Sequence, residues 1–179
     1  MRTFAFLALL CFVPLGALAA PSEEDKLFQQ LKQADSAEGA KPIEDKLTQL
    51  FRVSGSPSVD LLMSRAQTAL GQADNGTART LVDAVTHVAP HYAEGWRMRA
   101  RMQQAAGDDT GAMISLQHAV VLNPRHFAAM TELAEMLEDY GDKAGALKLY
   151  RRALALDPQL KVAAERQKAL SKEVEGQGI

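Results

Sequence analysis

Three prolines, Pro90, Pro124 and Pro158, stand 34 residues apart, and the same order of small and large residues leads up to each. With 34 positions per unit, the units begin at Val59, Ala93 and Phe127. The eighth position then holds Ala66, Ala100 and Ala134, the twentieth Ala78, Ala112 and Ala146, and the twenty-seventh Val85, Ala119 and Ala153. The fourth position carries a large side chain each time, Leu62, Trp96 and Met130. A period of this length predicts a stack of helical hairpins, in which one hairpin cannot bury its own apolar face and stacking buries it against the next.

The spacing explains the residue choices. Small residues at the eighth and twentieth positions let paired helices approach closely, while the large residue at the fourth fills the space beside them. Gly107-Asp108 and Gly141-Asp142 mark two of the turns, where glycine relaxes the helix end and aspartate caps the helix that follows. Ala73-Asp74 stands at the same place in the first unit, which predicts a less regular turn. Each proline ends a second helix and turns the chain into the next unit. Repeat helices are expected near 58–71, 76–88, 93–106, 110–122, 127–140 and 143–156, and a last, highly charged helix near 160–174 with a frayed end from Gly176 to Ile179. Ahead of the stack, residues 22–36 predict a short amphipathic helix capped by Ser22. Ala37 to Pro42 reads as a break, and a second helix follows over Ile43 to Arg52 with Ile43, Leu47, Leu50 and Phe51 in one stripe. The second helix is expected to cover the open apolar end of the first repeat, and the first fits capping or a docking or dimerisation arm equally well.

Ala93-Glu94-Gly95-Trp96 through Ala100, Gly107-Asp108, Ala112, Ala119 and Asn123-Pro124 resemble a tetratricopeptide repeat (TPR). Leu133-Ala134, Gly141-Asp142, Ala146, Tyr150, Ala153 and Asp157-Pro158 match as a further copy, and Ala66, Ala78 and Pro90 mark a looser one. Arg99 departs from the leucine usual at the seventh position. The resemblance implies an all-α, right-handed TPR solenoid of three helical hairpins, with N-terminal helices over 21–56, repeats at 59–92, 93–126 and 127–160, and a C-terminal capping helix and tail over 161–179. It also implies a concave face lined by the first helix of each hairpin. Its groove positions fall on Asp60, Met63, Gln67 and Leu70 in the first unit. In the second they fall on Glu94, Arg97, Arg101 and Gln104, and in the third on Thr131, Glu135, Glu138 and Asp139. Arg97 and Arg101, one turn apart, face an acidic stripe of Glu135, Glu138 and Asp139; either they receive a partner segment by mixed charge or they pair with those acids. The lysine and asparagine clamp by which some TPR domains hold a chaperone's C-terminal carboxylates is missing, since Met63 and Gln67 stand where its first members would be.

Residues 1–20 read as a secretory signal peptide, with Arg2, an apolar core from Phe4 to Leu15, and Ala17-Leu18-Ala19 before the cleavage point. Export would place the mature chain in the periplasm without stable membrane insertion. The sole cysteine, Cys11, lies in that leader, so no disulfide framework is expected. A net charge of −2, without any basic run, argues against nucleic-acid binding. His87 and His91 are four apart, but Pro90 ends the helix between them and no third ligand follows, so no metal is expected. The sequence holds no glycine-rich phosphate loop, nucleophile elbow or HExxH motif, and no cofactor or catalytic residue is assigned. These readings converge on an exported, non-enzymatic module that holds a protein or peptide segment in its groove for cell-envelope assembly or maintenance. Self-assembly of two copies through the N-terminal helices is the competing expectation.

Overall fold

Three helical hairpins follow one another at the pitch that the prolines set. The computed structural model describes residues 21–176. Along them run α1 (Glu23–Lys32), α2 (Ala37–Phe51), α3 (Pro57–Gly71), α4 (Asn75–Val88), α5 (Ala93–Ala105), α6 (Asp109–Leu122), α7 (Phe127–Asp139), α8 (Lys143–Leu156) and α9 (Lys161–Val174). No strand occurs among the described residues. The expected leader, 1–20, and the last residues of the expected tail, 177–179, lie outside them.

The hairpins α3–α4, α5–α6 and α7–α8 pack where the small residues recur. All nine side chains at the eighth, twentieth and twenty-seventh positions have no solvent exposure. Met130 is fully buried, and Trp96 packs partly against the same core while its indole N–H donates to the Pro90 carbonyl at 2.8 Å. Asp74, Asp108 and Asp142 each accept from a backbone N–H three residues on, so all three second helices start with the same cap. Beyond the third hairpin, α9 lies on α8, burying Ala163 and Leu170, and its charged face ties back through Lys143–Glu173 and Arg151–Glu175.

At the turn inside each hairpin the chain enters the left-handed region, at φ +77° for Gly107 and +87° for Gly141. The first unit makes the same turn with Ala73 at φ +59°. Its turn is therefore as regular as the others, contrary to expectation, and the missing glycine appears as strain because a Cβ crowds the carbonyl there.

The N-terminal helices depart most from the sequence reading. The expected break at 37–42 is helical: Ser36 caps α2 by accepting from Gly39, and Pro42 sits inside the helix on its exposed side. Ala40 and Leu47 are fully buried on the other side, and that packing outweighs the hydrogen bond that Pro42 removes. Nor does α2 cover the end of the first repeat. It pairs with α1, and the two lie along the edge of the stack where one hairpin passes to the next. The Tyr92 hydroxyl donates to the Arg52 carbonyl at 2.7 Å, and Phe51 sits on the His126 ring at 4.7 Å. Further along the same edge, Gln159 donates to the Ala34 carbonyl at 2.8 Å. Phe28 meets Phe127 edge to face, while Arg125 lies over the Phe28 ring at 4.0 Å and pairs with Asp25. Burying a phenylalanine like Phe28 contributes about 1.5–3 kcal/mol, so this hairpin is held by a core that it shares with the later helices of the stack.

One contact on that edge works against it. Glu44 of α2 meets Asp157, which is fully buried at the end of α8, accepts from Gln159 N–H and leaves its second oxygen without a partner. Burial pushes both carboxyls up, and the charge of Asp157 adds to the shift on Glu44. A carboxyl raised in the fold stabilises it most at low pH and loses that benefit as pH rises through the folded value.

Two substitutions check this description in urea unfolding at pH 7. Ala73→Gly should raise stability by up to about 1 kcal/mol, and no gain would mean that the turn is not strained. Asp157→Asn keeps the contact to Gln159 and removes a like charge. It should raise stability by about 1 kcal/mol at neutral pH, with the gain shrinking toward pH 4.

Candidate binding groove

The first helices α3, α5 and α7 carry the predicted groove positions, and the structure divides them. Asp60 accepts from Ser54 N–H at 2.8 Å and closes the linker ahead of α3. Met63 is 3% exposed and packs with Val59, Val82, Val85 and Met98, and Leu70 joins the same cluster. Neither Asp60 nor Met63 therefore lines an open wall. The residue at the fifth position of the first unit faces the core because α5 closes over it.

Glu94 and Arg97 form the centre of a buried polar network instead of an open surface. Arg97 donates to Glu94 at 2.9 Å and to Glu132 of α7 at 2.7 Å, so it joins the second hairpin to the third. His126 Nε2 lies 2.9 Å from the other Glu94 oxygen, and its Nδ1 accepts from Ala129 N–H as the cap of α7. The tautomer with the proton on Nε2 satisfies both contacts. Burial alone would push the Glu94 carboxyl up, but the hydrogen bond from His126 and the charge of Arg97 outweigh it and hold Glu94 below its ordinary range. Burial also works against the Arg97 charge, and the two carboxylates more than offset it. The acids that neutralise Arg97 are Glu94 and Glu132, not the expected stripe.

That stripe is itself split. Glu138 is tied to Arg166 of α9, with the Tyr150 hydroxyl at 3.4 Å, so it does not face a groove. Glu135 and Asp139 remain exposed one turn apart, and no cation among the described residues lies within ion-pair distance of either. Desolvation at the cleft wall, then the charges of Glu132 and Asp139, raise the Glu135 carboxyl. Gln67, Arg101 and Gln104 keep partial or full exposure on α3 and α5. Between α7 and α9 lies a mostly apolar cleft of about 330 Å³, walled by Phe127, Ala128, Thr131 and Glu135 on one side and Leu160 and Val162 on the other.

The family profile described as tetratricopeptide repeat matches residues 115–161. A TPR repeat-containing protein of Rhizobium etli is 30% identical over 162 residues, covering 90% of this chain and 79% of the relative. The chain belongs to the tetratricopeptide repeat family. Solved structures share its fold at lower identity. The TPR domain of Sgt2 from Aspergillus fumigatus aligns with TM-score 0.59 at 20% identity, over 68% of this chain and 82% of that one. The Yersinia enterocolitica type III secretion chaperone SycD, solved with a peptide of the translocator YopD, gives 0.58 at 18%, over 69% and 97%. MamA gives 0.59 at 18% and extends over 89% of this chain and 86% of that one.

Within the TPR frame, two residues that carry the groove wall escaped the sequence reading, His126 and Glu132. His126 has a signal in hindsight. The last position of each unit holds Tyr92, His126 and Leu160, three large side chains just before a first helix, and the first two reach α2. Glu132 stands at a sixth position and has no such mark. Because Glu94 is held below its unfolded value, it contributes stability above about pH 4.5 that fades as the pH falls through its folded value. Glu94→Ala, which leaves Arg97 and His126 short of a partner, should cost about 3 kcal/mol in urea unfolding at pH 7. It should also flatten the loss of stability toward acid; an unchanged slope would deny Glu94 this part.

Proposed function

We propose that this TPR chain is an exported adaptor that holds a segment of another protein against the concave face of its third repeat. The observation that carries the proposal is the cleft between α7 and α9, where Thr131 and Glu135 stand open beside an apolar floor. The polar network of Glu94, Arg97, Glu132 and His126 fixes the wall beside it, so the surface is already shaped before anything binds. The YopD peptide on SycD lends support by analogy of fold. The leader pattern of residues 1–20 supports the periplasm of a Gram-negative bacterium as the place of work, with cell-envelope assembly or maintenance as the process. No helix among the described residues is long and apolar enough to cross a membrane. No reaction is assigned to the chain.

Self-assembly through the N-terminal helices is the weaker reading. Leu27, Phe28, Leu31 and Leu47 are spent on the chain's own core, so the apolar stripe that would pair two copies is covered.

Thr131→Trp or Val162→Trp, from opposite walls, should fill the cleft and reduce recovery of a partner crosslinked in the native envelope by about tenfold, with the helical circular dichroism unchanged. Equal recovery from both folded variants would refute binding at this cleft.

A further inference from the structure

The cleft is apolar at its floor and negative at its rim, and that pairing says what kind of side chain it fits. Ala128 and Val162 give the apolar contact, and Val162 is 54% exposed with nothing over it. Above them stands Glu135, with Asp139 one turn further along α7. Beside them Glu132 gives one oxygen to Arg97, and its other oxygen, out of reach of solvent, has no hydrogen-bond partner. The one cation on the rim, Lys161, points to Glu38 of α2 at 3.7 Å. Arg166 of α9 is taken by Glu138, so Glu132, Glu135 and Asp139 are not neutralised from α9. Desolvation at the cleft wall is the larger cause of the raised Glu135 carboxyl, and the charges of Glu132 and Asp139 add to it.

We propose that this cleft selects a segment carrying a lysine or arginine next to an apolar side chain, the apolar group seated on Ala128 and Val162 and the cation on Glu135 at the rim. The inference rests on the groove reading above and narrows it. Acidic segments, which would add to the charge already crowded on α7, are turned away. Arg101 lies on α5, outside the cleft, so it does not reverse this preference there.

The test uses three capped peptides, each with one leucine flanked by two lysines, two glutamines or two glutamates, titrated into the isotope-labelled protein. Binding is read from the backbone amide shifts of Ala128, Thr131 and Val162. The lysine peptide should bind about tenfold more tightly than the glutamine peptide at low salt and lose that advantage as salt is raised. Glu135→Gln should shrink the difference, and Glu135→Lys should make the glutamate peptide the better ligand. Should the glutamine or glutamate peptide bind as tightly as the lysine peptide at the same amides, charge selection is wrong and the groove reading stands. Shifts confined to other helices for all three peptides would overturn both. If none of the three binds, the selection proposed here is overturned, and the tryptophan variants decide the groove reading separately.

Discussion

Close approach of helix backbones at the alanine positions is the constraint on which the rest of this structure depends. A side chain larger than alanine at Ala66, Ala100 or Ala134 would push the two helices of its hairpin apart, and the displacement would carry into the next unit. With the pitch fixed, α5 and α7 come close enough for Arg97 to reach Glu94 on its own helix and Glu132 on the next. The groove wall is thus a consequence of the seam. A buried charge network of this kind gives little net stability, yet it fails badly if one member is lost, so it fixes the register of one hairpin on another.

The N-terminal hairpin acts on the same wall from behind. Phe51 of α2 covers His126, His126 caps α7 and reaches Glu94, and Glu94 orients Arg97. The edge of the stack and its concave face are therefore linked through a single buried histidine. With α1 and α2 laid along the connecting loops, the cleft between α7 and α9 stays open, and exposed apolar side chains also stand elsewhere, among them Leu61, Val88 and Val121.

The repeats were legible because their contacts are local and recur in phase. Alanines at equal spacing, Gly107 and Gly141 at their turns, and the three capping aspartates each mark a place that only a hairpin stack requires. Helix limits followed within a residue or two for the same reason. The two N-terminal helices were legible, but their placement was not, because their partners lie far away in the chain: Asp25 pairs with Arg125, and Ala34 accepts from Gln159. Nothing in the local pattern of α1 or α2 signals an edge rather than an end. Pro42 misled for a related reason, since its usual effect was overridden by the burial of Ala40 and Leu47 against residues that a local reading does not see. In the groove, position alone placed Gln67, Arg101, Gln104, Thr131 and Glu135 on accessible helix faces. It could not reveal that Arg97 would be neutralised by a sixth-position acid, nor that Glu138 would be taken by Arg166.

The central claim is that the N-terminal hairpin lies along the loop edge and leaves the concave cleft open. It is tested most directly by the distance between spin labels on Glu38→Cys of α2 and Lys161→Cys of α9, two exposed positions whose native side chains meet at 3.7 Å. A hairpin docked as described gives one short, narrow distance distribution in pulsed electron paramagnetic resonance. A long or broad distribution, such as a helix covering the first repeat would produce, would contradict the account.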